Sequence, residues 1–221
     1  MFSYKGLEIT RFCHDSFLVK GGGINIYFDP FKLHGDEPKA DYIFISHEHF
    51  DHFSPDDIHK IIKDSTVLFM NEMTGDEIDG LYDNKIVIIR PGDSIDFKDL
   101  HIKGVPAYNI NKFREPGKVY HPKEDKKLGF IVTFKGVKIY HTGDTDHIPE
   151  MDSLENEKID LLFIPVSGTY VMTPAEAIEA ASKIKADTSI PMHYGTIVGE
   201  KKQAEEFMEG IRKKGLKCEI V

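Results

Sequence analysis

Apolar residues along this chain fall in short runs, and the runs change character halfway. Residues 9–19 and 24–28 read as strands, with Gly21-Gly22-Gly23 between them as a hairpin turn. A buried strand follows at 42–46. Ser54-Pro55-Asp56-Asp57 then supplies a cap, a proline at the first helical position and two acids, which predicts a helix continuing through Lys63. Further strands are expected at 67–70, 86–89, 94–97 and 101–105. Residues 107–127 are polar and patternless, a long loop of the kind that carries function more often than not. Strands at 128–134 and 137–141 flank the tight turn Lys135-Gly136.

Beyond residue 160 strands alternate with helices. Residues 160–165 and 188–192 read as buried strands. Thr173-Pro174-Ala175-Glu176 opens a helix with both a cap and a glutamate that reaches back. A second helix is expected over 200–214 and a closing strand over 216–221. A mostly β first half and an alternating second half suit two stacked sheets with helices outside, an α/β layered sandwich.

Composition narrows the class. The chain has 221 residues, 40% hydrophobic and 29% charged, as in an ordinary soluble domain, and no linker divides it, so one domain over 1–221 is expected. Its apolar runs are too short to span a bilayer and its start lacks a signal peptide, so the expected location is cytoplasmic. Cys13 and Cys218 fall in no CxxC spacing and are read as reduced. With 37 acidic residues against 28 basic ones the formal charge is −9, which disfavours a nucleic acid partner. The basic residues of the long loop are diluted by Glu115, Glu124 and Asp125.

One string changes the picture. The apolar run Ile43-Phe44-Ile45 exits into His47-Glu48-His49-Phe50-Asp51-His52. Crowded imidazoles repel one another once protonated and add nothing to a core. His47 and His49 alternate, so both point the same way in an extended segment, while Asp51 and His52 follow on the turn. Two neighbouring metal ions explain that spacing better than one, and imidazole with carboxylate suits zinc and similar borderline cations. Two further strand ends carry matching groups: Asp144 in the glycine turn after His141, and His193 after Met192. Glu48 alternates away from the histidines and is read as a loop anchor. Its spacing is not that of a helical HExxH site. His34, His59 and His101 are read as surface residues.

The order HxHxDH, GD turn, late strand ending in histidine resembles the metallo-β-lactamase superfamily across nearly the whole chain. Phe12-Cys13-His14-Asp15-Ser16-Phe17 and Phe28-Asp29-Pro30-Phe31 look like its branch containing ascorbate-6-phosphate lactonase and N-acylphosphatidylethanolamine phospholipase D. The resemblance implies a four-layer αββα sandwich of two mixed sheets with outer helices. It also implies one metal on His47 and His49, a second on Asp51, His52 and His193, and Asp144 bridging. Two zinc ions are expected, with manganese or iron as alternatives. His14 moves to the site rim as a hydrogen-bond donor, and Asp29 falls behind the ligands. Asp146 and Glu150 are candidates for orienting His193 or His52. The family's third histidine on the first metal is replaced here by Asn109, so that site is completed either by His121 from the long loop or, if His121 is an ordinary solvent-facing residue, by Asn109 or water.

The implied activity is hydrolysis of an ester, lactone, amide or phosphodiester. A metal-bound water ionises near neutral pH, and two ions about 4 Å apart can hold it and polarise the substrate. Asp51 is a ligand that can also accept a proton. The mixed aromatic and lysine content of the loops suits a small anionic substrate. A non-catalytic metal sensor and a di-iron oxidoreductase are the competing classes.

Overall fold

The computed structural model describes every residue except Asp79. The chain divides into two compact units, residues 1–90 with Val221 and residues 91–220.

The first unit is a seven-stranded sheet whose order follows the sequence. Strands β1 (Phe2–Tyr4), β2 (Leu7–Cys13), β3 (Ser16–Gly21) and β4 (Ile24–Phe28) form an antiparallel meander. The expected single stretch over 9–19 is two strands, because the chain reverses at His14-Asp15 without a glycine. His14 takes φ +45° to do so. From β4 onwards pairing is parallel, through β5 (Tyr42–Ile45), β6 (Val67–Met70) and β7 (Lys85–Ile88). Helix α1 (Pro55–Ile61) begins where its cap predicts, Ser54 accepting from the Asp57 amide. Helix α2 (Glu72–Ile78) is too short to show a period. Its first turn is held by Asn71 Oδ1, which accepts from the Thr74 amide at 3.1 Å. Tyr27, Ile43, Ile45, Leu68 and Met70 pack on Ile58, Ile61 and Ile78 from the two helices. The other sheet face stacks Phe28, Phe44 and Phe69, with ring centroids 5.1 and 4.7 Å apart. This is the two-sided burial expected of parallel strands.

The second unit is a six-stranded sheet in the order β15-β14-β13-β12-β9-β8, beside a separate hairpin. Strands β8 (Ser94–Phe97), β9 (Leu100–Pro106), β12 (Leu128–Phe134) and β13 (Val137–His141) pair antiparallel. Strands β14 (Leu161–Pro165) and β15 (Thr188–Met192) continue in parallel. The stretch read as patternless holds a hairpin, β10 (Phe113–Glu115) with β11 (Lys118–Val119), and a 3₁₀ turn at Lys123–Asp125. Its strands are too short and polar to show an alternation. The expected closing strand is reduced to one bridge between Ser189 and Cys218.

Helices α3 (Pro174–Ile184) and α4 (Lys201–Lys213) cover one sheet face. Ala177, Ala180, Ala181 and Ile184 recur at helical spacing and meet Ile131, Leu162 and Ile164 of the sheet, with Phe207 and Ile211 from α4. The two helices approach closely because a Cβ at Gly210 would lie 2.1 Å from Ile178 Cδ1. Truncating buried Phe207 to alanine removes about 3–5 kcal/mol of packing.

The α3 capping box also ties down the long loop. Glu176 accepts from the Thr173 amide at 2.7 Å, from Asn111 Nδ2 at 2.7 Å and from Lys112 Nζ at 2.8 Å. Partial burial pushes this carboxyl up, but the hydrogen bonds from Lys112, Thr173 and Asn111 outweigh it and hold the pKa down to about 2. A depressed carboxyl contributes stability above its unfolded pKa and loses it as pH falls through the folded one. Glu176→Gln is therefore expected to melt below the parent at neutral pH, with the gap closing between about pH 4.5 and pH 2. A gap constant across that range would detach the carboxylate charge from loop anchoring.

No helix among the described residues is long and apolar enough to cross a membrane.

Candidate functional site

In each unit several of the chemistry-bearing residues lie just past the carboxyl ends of parallel strands, where open α/β sheets leave their crevices. In the first unit β4 ends at Asp29 and β5 ends at Ser46-His47. Asp29 adopts φ +42°, an arrangement rare for a residue with a Cβ, which turns its carboxylate across the neighbouring strand. There it accepts from the Ser46 amide at 2.7 Å and the Ser46 hydroxyl at 2.6 Å, and meets His52 Nδ1 at 2.8 Å. Ser46 Oγ also lies 3.0 Å from His47 Nδ1. Both rings therefore engage Nδ1 and leave Nε2 as the outward atom, the arrangement by which carboxylates orient metal-binding histidines.

The turn after β5 gathers the rest. The His52 and Phe53 amides both donate to the His49 carbonyl, at 2.9 and 2.8 Å. That tight turn sets His49 Nδ1 2.9 Å from His47 Nε2. Glu48 is folded back against His49, its carboxylate 3.8 Å from Nε2, rather than turned to the opposite side. Asp51 Oδ2 lies 3.1 Å from His14 Nε2 and 3.8 Å from His52 Nε2. Ligand atoms of His14, Asp51 and His52 thus fall within 4.8 Å of one another. Asp15, buried beside His14, has a carboxylate oxygen 3.9 Å from His52 Nδ1.

The second unit carries its own set. Asp144 Oδ2 lies 3.2 Å from His193 Nε2 and 3.4 Å from His121 Nε2, with all three residues buried. His193, at φ +59° just past β15, has Nδ1 2.9 Å from Ser167 Oγ. His121 Nδ1 lies 2.9 Å from Asn109 Oδ1, which also accepts from the His121 amide. Asn109 therefore stands behind His121 and orients it. Its own amide donates to the Tyr170 carbonyl at 2.8 Å and to Asp146 at 3.2 Å. Asp146 further accepts from the Ile110 and Asn111 amides at 2.6 and 2.9 Å. Expected to orient a histidine directly, Asp146 instead shapes the loop that carries Asn109. Glu150 bonds Tyr108 and Lys123 rather than His193 or His52. Burial pushes its carboxyl up, but Lys123 and Tyr108 hold it below the usual range.

The GD turn depends on a glycine in the neighbouring strand. A Cβ at Gly129 would lie 2.6 Å from the Thr142 carbonyl oxygen and 2.9 Å from that of His141, both backbone atoms. Gly129→Ala must push aside the segment that presents Asp144. The expected cost is about 1–3 kcal/mol of overpacking, with activity down at least tenfold, measured by melting and kcat/KM. Unchanged values for both would mean the turn gives way freely.

Sequence reasoning missed Ser46, Ser167 and Asp15. Serine carries no chemical signature of its own. For Ser46 the available signal was position, since it directly follows a buried strand and precedes His47. Ser167 stands at a strand end with no histidine beside it and meets His193 only through space.

The close donor pairs at 2.9, 3.1, 3.2 and 3.4 Å fit a metal. Two donors each about 2.0–2.1 Å from one ion are about 2.9–3.4 Å apart for angles from square to tetrahedral. The donor set is imidazole and carboxylate, with outer partners fixing four of the rings. These residues fit a borderline divalent cation.

Comparison with known proteins agrees. Residues 8–193 match the Beta-lactamase superfamily domain. A UPF0173 metal-dependent hydrolase of Archaeoglobus fulgidus is 30% identical over 97% of this chain and 95% of its own. A candidate metal-dependent hydrolase from Parabacteroides distasonis superposes with a TM-score of 0.84 at 32% identity, covering 97% of this chain and 92% of that one. A candidate zinc-dependent hydrolase of the metallo-beta-lactamase superfamily from Thermotoga maritima gives 0.59 at 26% identity, covering 92% and 84%. The two mixed sheets with their helices are those of a metallo-β-lactamase-fold hydrolase. The chain belongs to the beta-lactamase superfamily and, within it, to the UPF0173 metal-dependent hydrolases.

Proposed function

We propose that this chain is a single metallo-β-lactamase-fold domain with a dinuclear metal centre. His47, His49 and His121 would hold one ion, Asp51, His52 and His193 the other, and Asp144 would serve both. The observation that carries this reading is the placement of Asp144 Oδ2 between two imidazoles, 3.4 Å from His121 and 3.2 Å from His193. The assignment draws on four imidazoles, those of His47, His52, His121 and His193, whose Nδ1 is held from behind. Zinc is the proposed metal, on the donor types and on the zinc dependence named for the Thermotoga relative.

Zinc, when bound, would supply Lewis acidity that activates water at neutral pH and polarises a carbonyl or phosphoryl group. The chain's own contribution is orientation. Asp29 and Ser46 hold His52 and His47, Ser167 holds His193, and Asn109 holds His121. Asp51 lies within reach to take a proton, and His14, 3.1 Å away, steadies its carboxylate or donates to substrate. The substrate is a small anionic ester, lactone, amide or phosphodiester.

Chromogenic esters, lactones and phosphodiesters test this directly. Hydrolysis of at least one class is expected, lost on chelation and regained on adding zinc. Full metal content with no turnover of any class would favour a metal sensor, and dependence on iron with an oxidant would favour redox chemistry.

A further inference from the structure

Within the motif, exposure climbs from 1% at His47 to 69% at Phe50 before Asp51 and His52 turn back inside. A phenyl ring spent on solvent between two metal-binding residues contributes little to folding. It is not isolated. Phe50 meets the ring of Phe31 edge to face at 6.0 Å, and Lys32 Nζ lies 5.4 Å from the Phe31 centroid.

The segment bearing Phe31 and Lys32 is fixed from below. The Phe31 amide donates to Ser16 Oγ at 3.1 Å, and its carbonyl accepts from Cys13 Sγ at 3.4 Å. The Lys32 and Leu33 amides both donate to the Asp57 carboxylate, at 2.8 and 2.9 Å. Asp57 is itself steadied by Ser54 and Lys60. Lys32 adopts φ +51°, so this conformation is held by its surroundings rather than by local preference. The result is a ledge made of the exposed Phe50 ring, backed by Phe31, which is only 8% exposed, with a cation beside it, and joined through the chain to His49 and Asp51.

We propose that this ledge sets specificity, seating an aryl or short acyl body of the substrate against the exposed Phe50 ring, with buried Phe31 buttressing that ring from behind and Lys32 favouring an anionic group. The assignment rests on the dinuclear hydrolase reading and narrows its substrate class to amphipathic anions. Rings meet a second apolar group most favourably edge to face or offset, and a preformed ledge avoids the entropy cost of ordering it on binding. A lysine above the layer adds a modest, salt-screened attraction.

Calorimetric titration of the zinc-loaded protein with phenylphosphonate and methylphosphonate tests it without turnover. The parent is expected to bind phenylphosphonate about tenfold more tightly. Phe50→Ala should reduce that preference to within about twofold and leave methylphosphonate affinity unchanged. Phe50→Leu should keep part of it. Lys32→Ala should weaken both phosphonates about two- to threefold at low salt and keep the aryl preference. No aryl preference in the parent, or an undiminished one in Phe50→Ala, would overturn the ledge. Failure of the hydrolysis panel with the preference intact would instead overturn the hydrolase reading alone.

Discussion

Replacing Asp144 with alanine is expected to cut hydrolysis by more than about a hundredfold while the metal-free protein melts near the parent temperature. The magnitude has a floor. Losing an outer partner of a metal ligand costs about 10–100-fold in affinity or activity, and Asp144 is proposed here as a ligand to both ions. Its Oδ2 faces His193 Nε2 at 3.2 Å and His121 Nε2 at 3.4 Å, so truncation removes the one anion shared by two imidazoles. Folding should notice little, because the carboxylate is buried at a strand end beyond the packed face. Melting curves with and without zinc, beside kcat/KM, separate the effects. Full activity with two ions still bound would reduce Asp144 to a turn residue.

Removing the His121 imidazole should lower zinc occupancy from two ions towards one per chain. His121 enters from the long loop, twelve residues after the position where the family resemblance led us to expect a histidine. The structure gives a physical account of the exchange. Asn109 is too short to carry an imidazole nitrogen, and its amide oxygen is a poorer zinc ligand. Instead it grips both the backbone and the ring of His121 at 2.9 Å and turns Nε2 towards Asp144. His121→Ala should therefore empty the site shared with His47 and His49 and spare the one shared with Asp51 and His52. Asn109→Ala should weaken the same ion about 10–100-fold without abolishing it. Two ions held at parental affinity by both variants would remove the loop from the centre.

The strand ends were legible because their signal is local. An apolar run followed by histidine and aspartate shows both the element and its chemistry, as at Ile45 to His52 and Met192-His193. The capped helices α1 and α3 were legible for the same reason. What stayed hidden depends on through-space partners. Ser46 and Ser167 look like any serine until Asp29, His47 and His193 are brought beside them. The reversal at His14-Asp15 uses positive φ on a histidine, so no glycine marked it. The hairpin β10–β11 inside the long loop has strands too short to alternate. Glu150 was read from proximity in sequence, yet Tyr108 and Lys123, each far from it along the chain, decide where its carboxylate goes.

This chain is proposed to carry two metal ions. The most direct test is elemental analysis of the parent protein after dialysis against zinc and removal of the unbound excess. Two zinc ions per chain, falling to none on chelation and returning on titration, are the result expected. No bound transition metal and no uptake on titration would contradict the account at its root.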